Sequence, residues 1–103
     1  MNIDWIRNSV IKNNYYFSKH GDEERMNDNL TISDIEEAVL SGKIIENYSD
    51  DKRGVSCLLA GFNNSGIPIH IVCGTRNKEL VIITVYIPQA PKFKNPYERS
   101  KNG

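Results

Sequence analysis

Residues 32–87 read ISDIEEAVLSGKIIENYSDDKRGVSCLLAGFNNSGIPIHIVCGTRNKELVIITVYI, and the apolar period changes once within them. Up to Ser41 the apolar residues Ile32, Ile35, Val39 and Leu40, with Ala38, recur at helical spacing and predict one buried stripe. Ser33 with Glu36 forms a capping-box pattern at the start, and Thr31 with Asp34 forms a weaker one. Gly42 ends the helix in the way a left-handed residue does. Beyond it the pattern is strand-like. Lys43–Tyr48, Val55–Phe62, Ile67–Gly74 and Leu80–Ile87 read as four strands. The last is apolar on both faces, which predicts a central or covered position. If Asn63–Gly66 is a four-residue turn, Phe62 pairs with Ile67 and His70 lies opposite Leu59.

Upstream, Ile3, Ile6, Val10 and Ile11 predict a short amphipathic helix over 3–13. Tyr15-Tyr16-Phe17 is an aromatic patch that favours extended chain. Ser18 can cap a helix running from Lys19 to Asn29. Downstream, Pro88, Pro91 and Pro96 argue against a fifth strand, so the end of the chain reads as an extended basic tail. Helices followed by hairpin-linked strands predict an α+β fold. The N-terminal helices pack on one face of a twisted four-stranded antiparallel sheet, and the other face is left for a ligand. The expected layout is one domain over 1–90 and a tail over 91–103.

A chain of 103 residues with 39% apolar and 25% charged side chains suits a single globular domain. The net charge of zero hides an asymmetry. Residues 1–51 carry five basic and eleven acidic groups, a net −6, whereas residues 52–103 carry eight basic and two acidic groups, a net +6. Such a split fits a polyanion or protein partner, and equally two solvated faces. The first residues, with an early Asp4 and no apolar stretch, are not expected to act as a secretory leader, and the sequence shows no run long enough to span a bilayer, no glycine-rich phosphate loop and no Gly-x-Ser-x-Gly elbow. Cys57 and Cys73 do not form a metal-ligand pattern and read as buried reduced thiols. The expectation is a cytoplasmic protein with no membrane partner, no metal and no cofactor.

His20 and Arg25 lie five apart on the second predicted helix. Histidine can move a proton at neutral pH and arginine can hold a phosphate in a bidentate grip. The plainer alternative is surface charge, with Asp22 pairing Arg25 at i, i+3. Gly21, at i−4 from Arg25, reads as open space beside the guanidinium. His70 and Thr84 each interrupt an apolar strand, either as site residues or as structural ones. Thr84 shares its face with Leu80, Ile82 and Tyr86 by simple alternation. Pairing Thr75 with Leu80 sets His70 and Thr84 on opposite faces, and a one-residue change brings them together. Arg53 sits at a hairpin tip. Lys92 and Lys94, with Arg99 and Lys101, are interleaved with Phe93 and Tyr97, a pattern that can follow a nucleic-acid backbone or can be a solubilising tail.

These stretches together resemble the domain of unknown function numbered 4258. The similar parts are Ser18-x-His20 with Arg25-Met26, Ile32–Gly42, Ile44–Asp51, Ser56–Leu59, Pro68–Val72 and Ile83–Tyr86, which cover about residues 15–88. The resemblance implies a RelE/barnase-type ribonuclease that cleaves RNA without metal, acting as the toxin of a toxin–antitoxin pair beside a zinc-finger antitoxin. It implies His20, Arg25, His70 and Thr84 as catalytic residues, with Arg53 and Tyr86 as weaker matches on the substrate. The chain departs from the family pattern at Gly21, where alanine is usual, and at Glu24, where the arginine more often falls. With Lys92 and Lys94 added for the RNA backbone, the expectation is an endoribonuclease. The alternative is a non-catalytic RNA- or protein-binding module.

Overall fold

Three helices and seven strands follow from these patterns in the computed structural model, which describes residues 1–49, 54–89 and 93–99, the side chains of Phe93 and Lys94 excepted. In chain order they are α1 (Ile3–Ile11), β1 (Tyr15–Phe17), α2 (Lys19–Asn27), α3 (Ile32–Ser41), β2 (Lys43–Tyr48), β3 (Ser56–Phe62), β4 (Pro68–Arg76), β5 (Glu79–Tyr86), β6 (Phe93–Asn95) and β7 (Glu98–Arg99). Strands β1 to β5 form one sheet in the order β1-β5-β4-β3-β2, and β6 pairs with β7 in a separate hairpin. The fold is α+β, but the sheet is five-stranded and mixed rather than four-stranded and antiparallel. Tyr15–Phe17 adds an edge strand parallel to Leu80–Ile82. Three aromatic residues are enough for this because β5 is apolar on both faces and leaves an unpaired edge to be covered.

The helices cover one face. Ile6, Val10, Leu30, Ile35, Ala38 and Val39 meet Cys57, Leu59, Ile69, Ile71, Cys73, Leu80, Ile82 and Val85 in a continuous core. Burial raises the thiol pKa of Cys57 to about 11, so it is inert in the core, and both cysteines are free. The predicted stripe of α3 is narrower than its spacing implied. Ile32 and Leu40 are exposed, and Ile35, Ala38 and Val39 carry the contact. The cap is Thr31, whose hydroxyl accepts from Asp34 N while the Asp34 carboxylate accepts from Thr31 N. This box wins over Ser33 and Glu36 because the helix begins at Ile32.

Gly42 is extended rather than left-handed, with φ −84°. Its reason is close approach: a Cβ there would lie 2.6 Å from Ala38 O. Gly61 on β3 is tighter still, with a Cβ reaching 1.9 Å from the same oxygen. Two glycines therefore let α3 rest directly on the sheet backbone. Gly61→Ala is expected to destabilise the fold by about 3 kcal/mol, at the upper end of overpacking costs, read as a lower urea midpoint.

Candidate functional site

The second face of the sheet carries the two apolar-strand interruptions, and a register detail decides which side chains join them. The connection after β3 is one residue longer than predicted. Phe62 pairs with Pro68, and His70 sits opposite Ala60 rather than Leu59. At the next turn Thr75 does pair with Leu80, which by simple alternation separates His70 from Thr84. A bulge reverses that outcome. Cys73 pairs with Ile82 and Val72 with Thr84, so Ile83 is the extra residue of β5. After it, Thr84 and Tyr86 face His70's side, while Leu80 and Ile82 stay in the helix-side core.

His70 is fully buried. The Tyr86 hydroxyl lies 3.1 Å from its Nδ1, and its Nε2 makes a short contact with Pro96 O. A carbonyl oxygen can only accept, so Nε2 carries the ring proton and Nδ1 accepts from Tyr86. The two rings meet edge to face at 5.1 Å. Pro96 belongs to the β6–β7 hairpin, so residues 93–99 fold over this face instead of remaining extended, and His70 is covered. Tyr97 packs on Phe62 at 6.1 Å, and the Lys43 ammonium sits 4.2 Å over the Tyr97 ring. Arg99 grips Glu46 with two guanidinium nitrogens, one at 2.9 Å, and the Tyr48 hydroxyl donates to the same carboxylate. The Arg99 bonds hold the Glu46 carboxyl below its ordinary range. Burial, with Glu46 beside it, pushes the Tyr48 hydroxyl up to about 12.

His20 stands on α2, at the edge of β5. β1 stops at Phe17, and beyond it the edge of β5 is finished by side chains of α2. Ser18 caps the helix by accepting from Gly21 N, and its hydroxyl donates to Ile83 O at 2.9 Å. Gly21 is not beside open space, because a Cβ there would lie 2.7 Å from Ile82 O. One turn on, Glu24 accepts from Val85 N at 3.1 Å and lies 3.2 Å from His20 Nε2. Glu24 thus ties an exposed imidazole to the backbone between Thr84 and Tyr86. Burial raises the Tyr86 hydroxyl pKa, with Glu24 and Glu46 adding to the rise and Arg99 opposing it.

Arg25 is placed elsewhere. Its Nε donates to Asp22 at 2.9 Å, Nη2 lies 2.7 Å from the same oxygen, and Nη1 donates to Leu30 O at 3.0 Å. The guanidinium also stands 5.8 Å from the Phe17 ring centroid. It closes the corner between α2 and α3. Arg53 and Lys92 lie outside the described residues, as does the Lys94 side chain. Sequence reasoning passed over three participants: Glu24 and Glu46, whose carboxylates complete the electrostatics, and Pro96, whose carbonyl covers His70. Only Glu24 left a signal, the i, i+4 spacing from His20. Among the described residues no group of histidine, cysteine and acid side chains can hold a metal ion, and no helix is long and apolar enough to cross a membrane.

A helix-covered mixed sheet with a polar cluster on its opposite face defines a small α+β domain. Its sequence matches the family described as Domain of unknown function (DUF4258) over residues 17–87, and the chain belongs to that family. No curated protein and no solved structure matches it. The matched stretch contains His20, Glu24, His70, Thr84 and Tyr86, whereas α1 and the covering hairpin lie outside it.

Two outcomes follow from this geometry. Arg25→Ala is expected to cost about 1–3 kcal/mol through its charged hydrogen bonds, measured by urea unfolding. His70 folds in a state that disfavours its charged form. Burial holds its pKa below 6.5, against the pull of Pro96 O and Glu46, and Arg99 adds to the lowering. On acidification the unfolded chain therefore takes up this proton first, at about pH 6.5. Stability is complete above that value and falls below it until the lowered folded pKa is passed. The urea midpoint should drop between about pH 7.5 and about pH 5.5, and the drop should shrink in His70→Gln. An equal drop in that variant would place the titration in another group.

Proposed function

We propose that this chain is a toxin-type endoribonuclease of the RelE/barnase kind, cleaving RNA by metal-independent acid–base catalysis. We further propose a toxin–antitoxin pairing, with a zinc-finger protein as antitoxin. The observation that carries the reading is the His20–Glu24 pair. The Glu24 carboxylate against Nε2 favours the ring proton on that nitrogen, which leaves Nδ1 as the acceptor. The imidazole is two-thirds exposed, so a strand of RNA can reach it.

In this scheme His20 Nδ1 withdraws the ribose 2′-hydroxyl proton and the 2′-oxygen attacks phosphorus. The bond to the 5′-oxygen breaks, and that oxygen takes the Tyr86 hydroxyl proton, which in the free protein is donated to His70 Nδ1 and turns to the substrate on binding. The products end in a 2′,3′-cyclic phosphate and a 5′-hydroxyl. Tyr86 stays protonated at neutral pH because burial raises its pKa, which keeps it a donor. Thr84, on the same face, adds a second hydroxyl for the phosphorane oxygens. His70 acts through Tyr86 by fixing its hydroxyl. Arg25 holds α2, and so His20, in place. Arg53, Lys92 and Lys94 are assigned to the RNA backbone.

A non-catalytic RNA- or protein-binding module is the second reading. It is favoured by the burial of His70 and by the engagement of Nε, Nη1 and Nη2 of Arg25 inside the protein. Incubating the purified protein with total RNA in EDTA and mapping the new ends separates the two. The nuclease reading expects cyclic-phosphate ends, and His20→Ala should slow their appearance by about 10²- to 10⁴-fold while the circular dichroism spectrum is kept. Intact RNA, with stable overexpression and no growth arrest, would favour the binding module.

A further inference from the structure

A recess of about 570 Å³ opens at the corner between α1 and β1. Trp5 and Asn8 of α1 line it, with Lys12, Asn13 and Asn14 just beyond the helix and Lys78 of the β4–β5 turn. Recesses of this size commonly take small ligands. It lies at the start of β5, whereas Tyr86 ends that strand, a separation of about 20 Å at ~3.3 Å per residue.

The hydrogen-bonding capacity of this recess is largely unspent. Its Ser9 and Tyr15 hydroxyls are committed, donating to Trp5 O at 2.8 Å and to Glu36 at 2.7 Å. Among the described residues, the amides of Asn8, Asn13 and Asn14 and the ammonium groups of Lys12 and Lys78 form no side-chain hydrogen bond or ion pair. Trp5 is 38% exposed. Glu79 is the one acid in the lining, against two lysines, so the recess is net cationic.

Lys78 supplies a separate sign. Asn77 and Lys78 are the two residues between paired Arg76 and Glu79, with φ of 52° and 67°. A two-residue hairpin of this hand strongly prefers glycine at its second position, because a Cβ is penalised at positive φ. A lysine held against local preference, and lining a recess, is the pattern left where function overrides local stability.

We propose that this recess binds a nucleotide. The indole of Trp5 stacks on the base, the asparagine amides offer a donor and an acceptor to its edge, and Lys12 and Lys78 hold the phosphate. A free mononucleotide and a nucleotide within a single RNA strand present the same chemistry. The inference does not depend on cleavage at His20.

Trp5 is the chain's sole tryptophan, so its fluorescence reports on this recess. The full chain is titrated with AMP, with a cleavage-resistant 2′-O-methyl trinucleotide, and with adenosine. Saturable quenching is expected from AMP, the trinucleotide or both, with adenosine at least about tenfold weaker. Quenching by AMP alone assigns a free nucleotide, and quenching by the trinucleotide assigns a strand. Lys78→Gly should bind about tenfold more weakly yet melt a few degrees higher, because glycine suits the turn. Lys12→Gln gives a second reading of the phosphate contact without touching the turn. The proposal is overturned if neither phosphate-bearing probe quenches, if adenosine binds as well as AMP, or if both lysine variants bind as the parent does.

Discussion

Ile83, the extra residue of β5, is the constraint on which the site geometry depends. A strand alternates its side chains strictly, so an unpaired residue exchanges the faces of everything after it. Before the bulge, Leu80 and Ile82 feed the helix-side core. After it, Val85 feeds the same core, and Thr84 and Tyr86 turn toward His70. Without the bulge, Tyr86 could not reach the His70 ring, and Val85 would leave the core. One inserted residue thus satisfies packing on one face and assembles polar groups on the other. Gly74 accommodates it, since a Cβ there would stand 2.6 Å from the Ile83 side chain.

The same stretch also solves an edge problem. β1 pairs only with Leu80–Ile82, which leaves later backbone groups of β5 in need of partners. Ser18 and Glu24 supply them through Ile83 O and Val85 N. The carboxylate that completes the sheet edge is also the one that touches His20. One side chain therefore serves both a backbone N–H of the sheet and an imidazole of the helix. Arg25, one residue further along α2, points to the α3 corner instead, because consecutive helical positions do not face the same neighbour.

Much of the fold was legible in the chain. The switch of period at Gly42 marked α3 and β2, and the apolar run of β5 marked a covered strand. The parallel pairing of Tyr15–Phe17 was not legible, since three aromatic residues carry no information about which edge they will join. The β6–β7 hairpin was hidden too: prolines around it argued against strand, yet its contacts with His70, Phe62 and Glu46 are long-range. In the candidate site, His70 and Thr84 stood out by their intrusion into apolar runs, but their common face hung on a bulge that local spacing does not contain.

The amino-acid sequence by itself determined α1 to α3, β2 to β5, the cap at Ser18 and the family to which the chain belongs. These depend on interactions within a few residues, which spacing records directly. The tertiary structure decided the register at Ile83, the burial of His70 beneath Pro96, and the union of Glu24 with the edge of β5. Each of these joins residues far apart in the chain. Their energies come from filling a common core and from pairing backbone groups across a sheet, which no local pattern encodes.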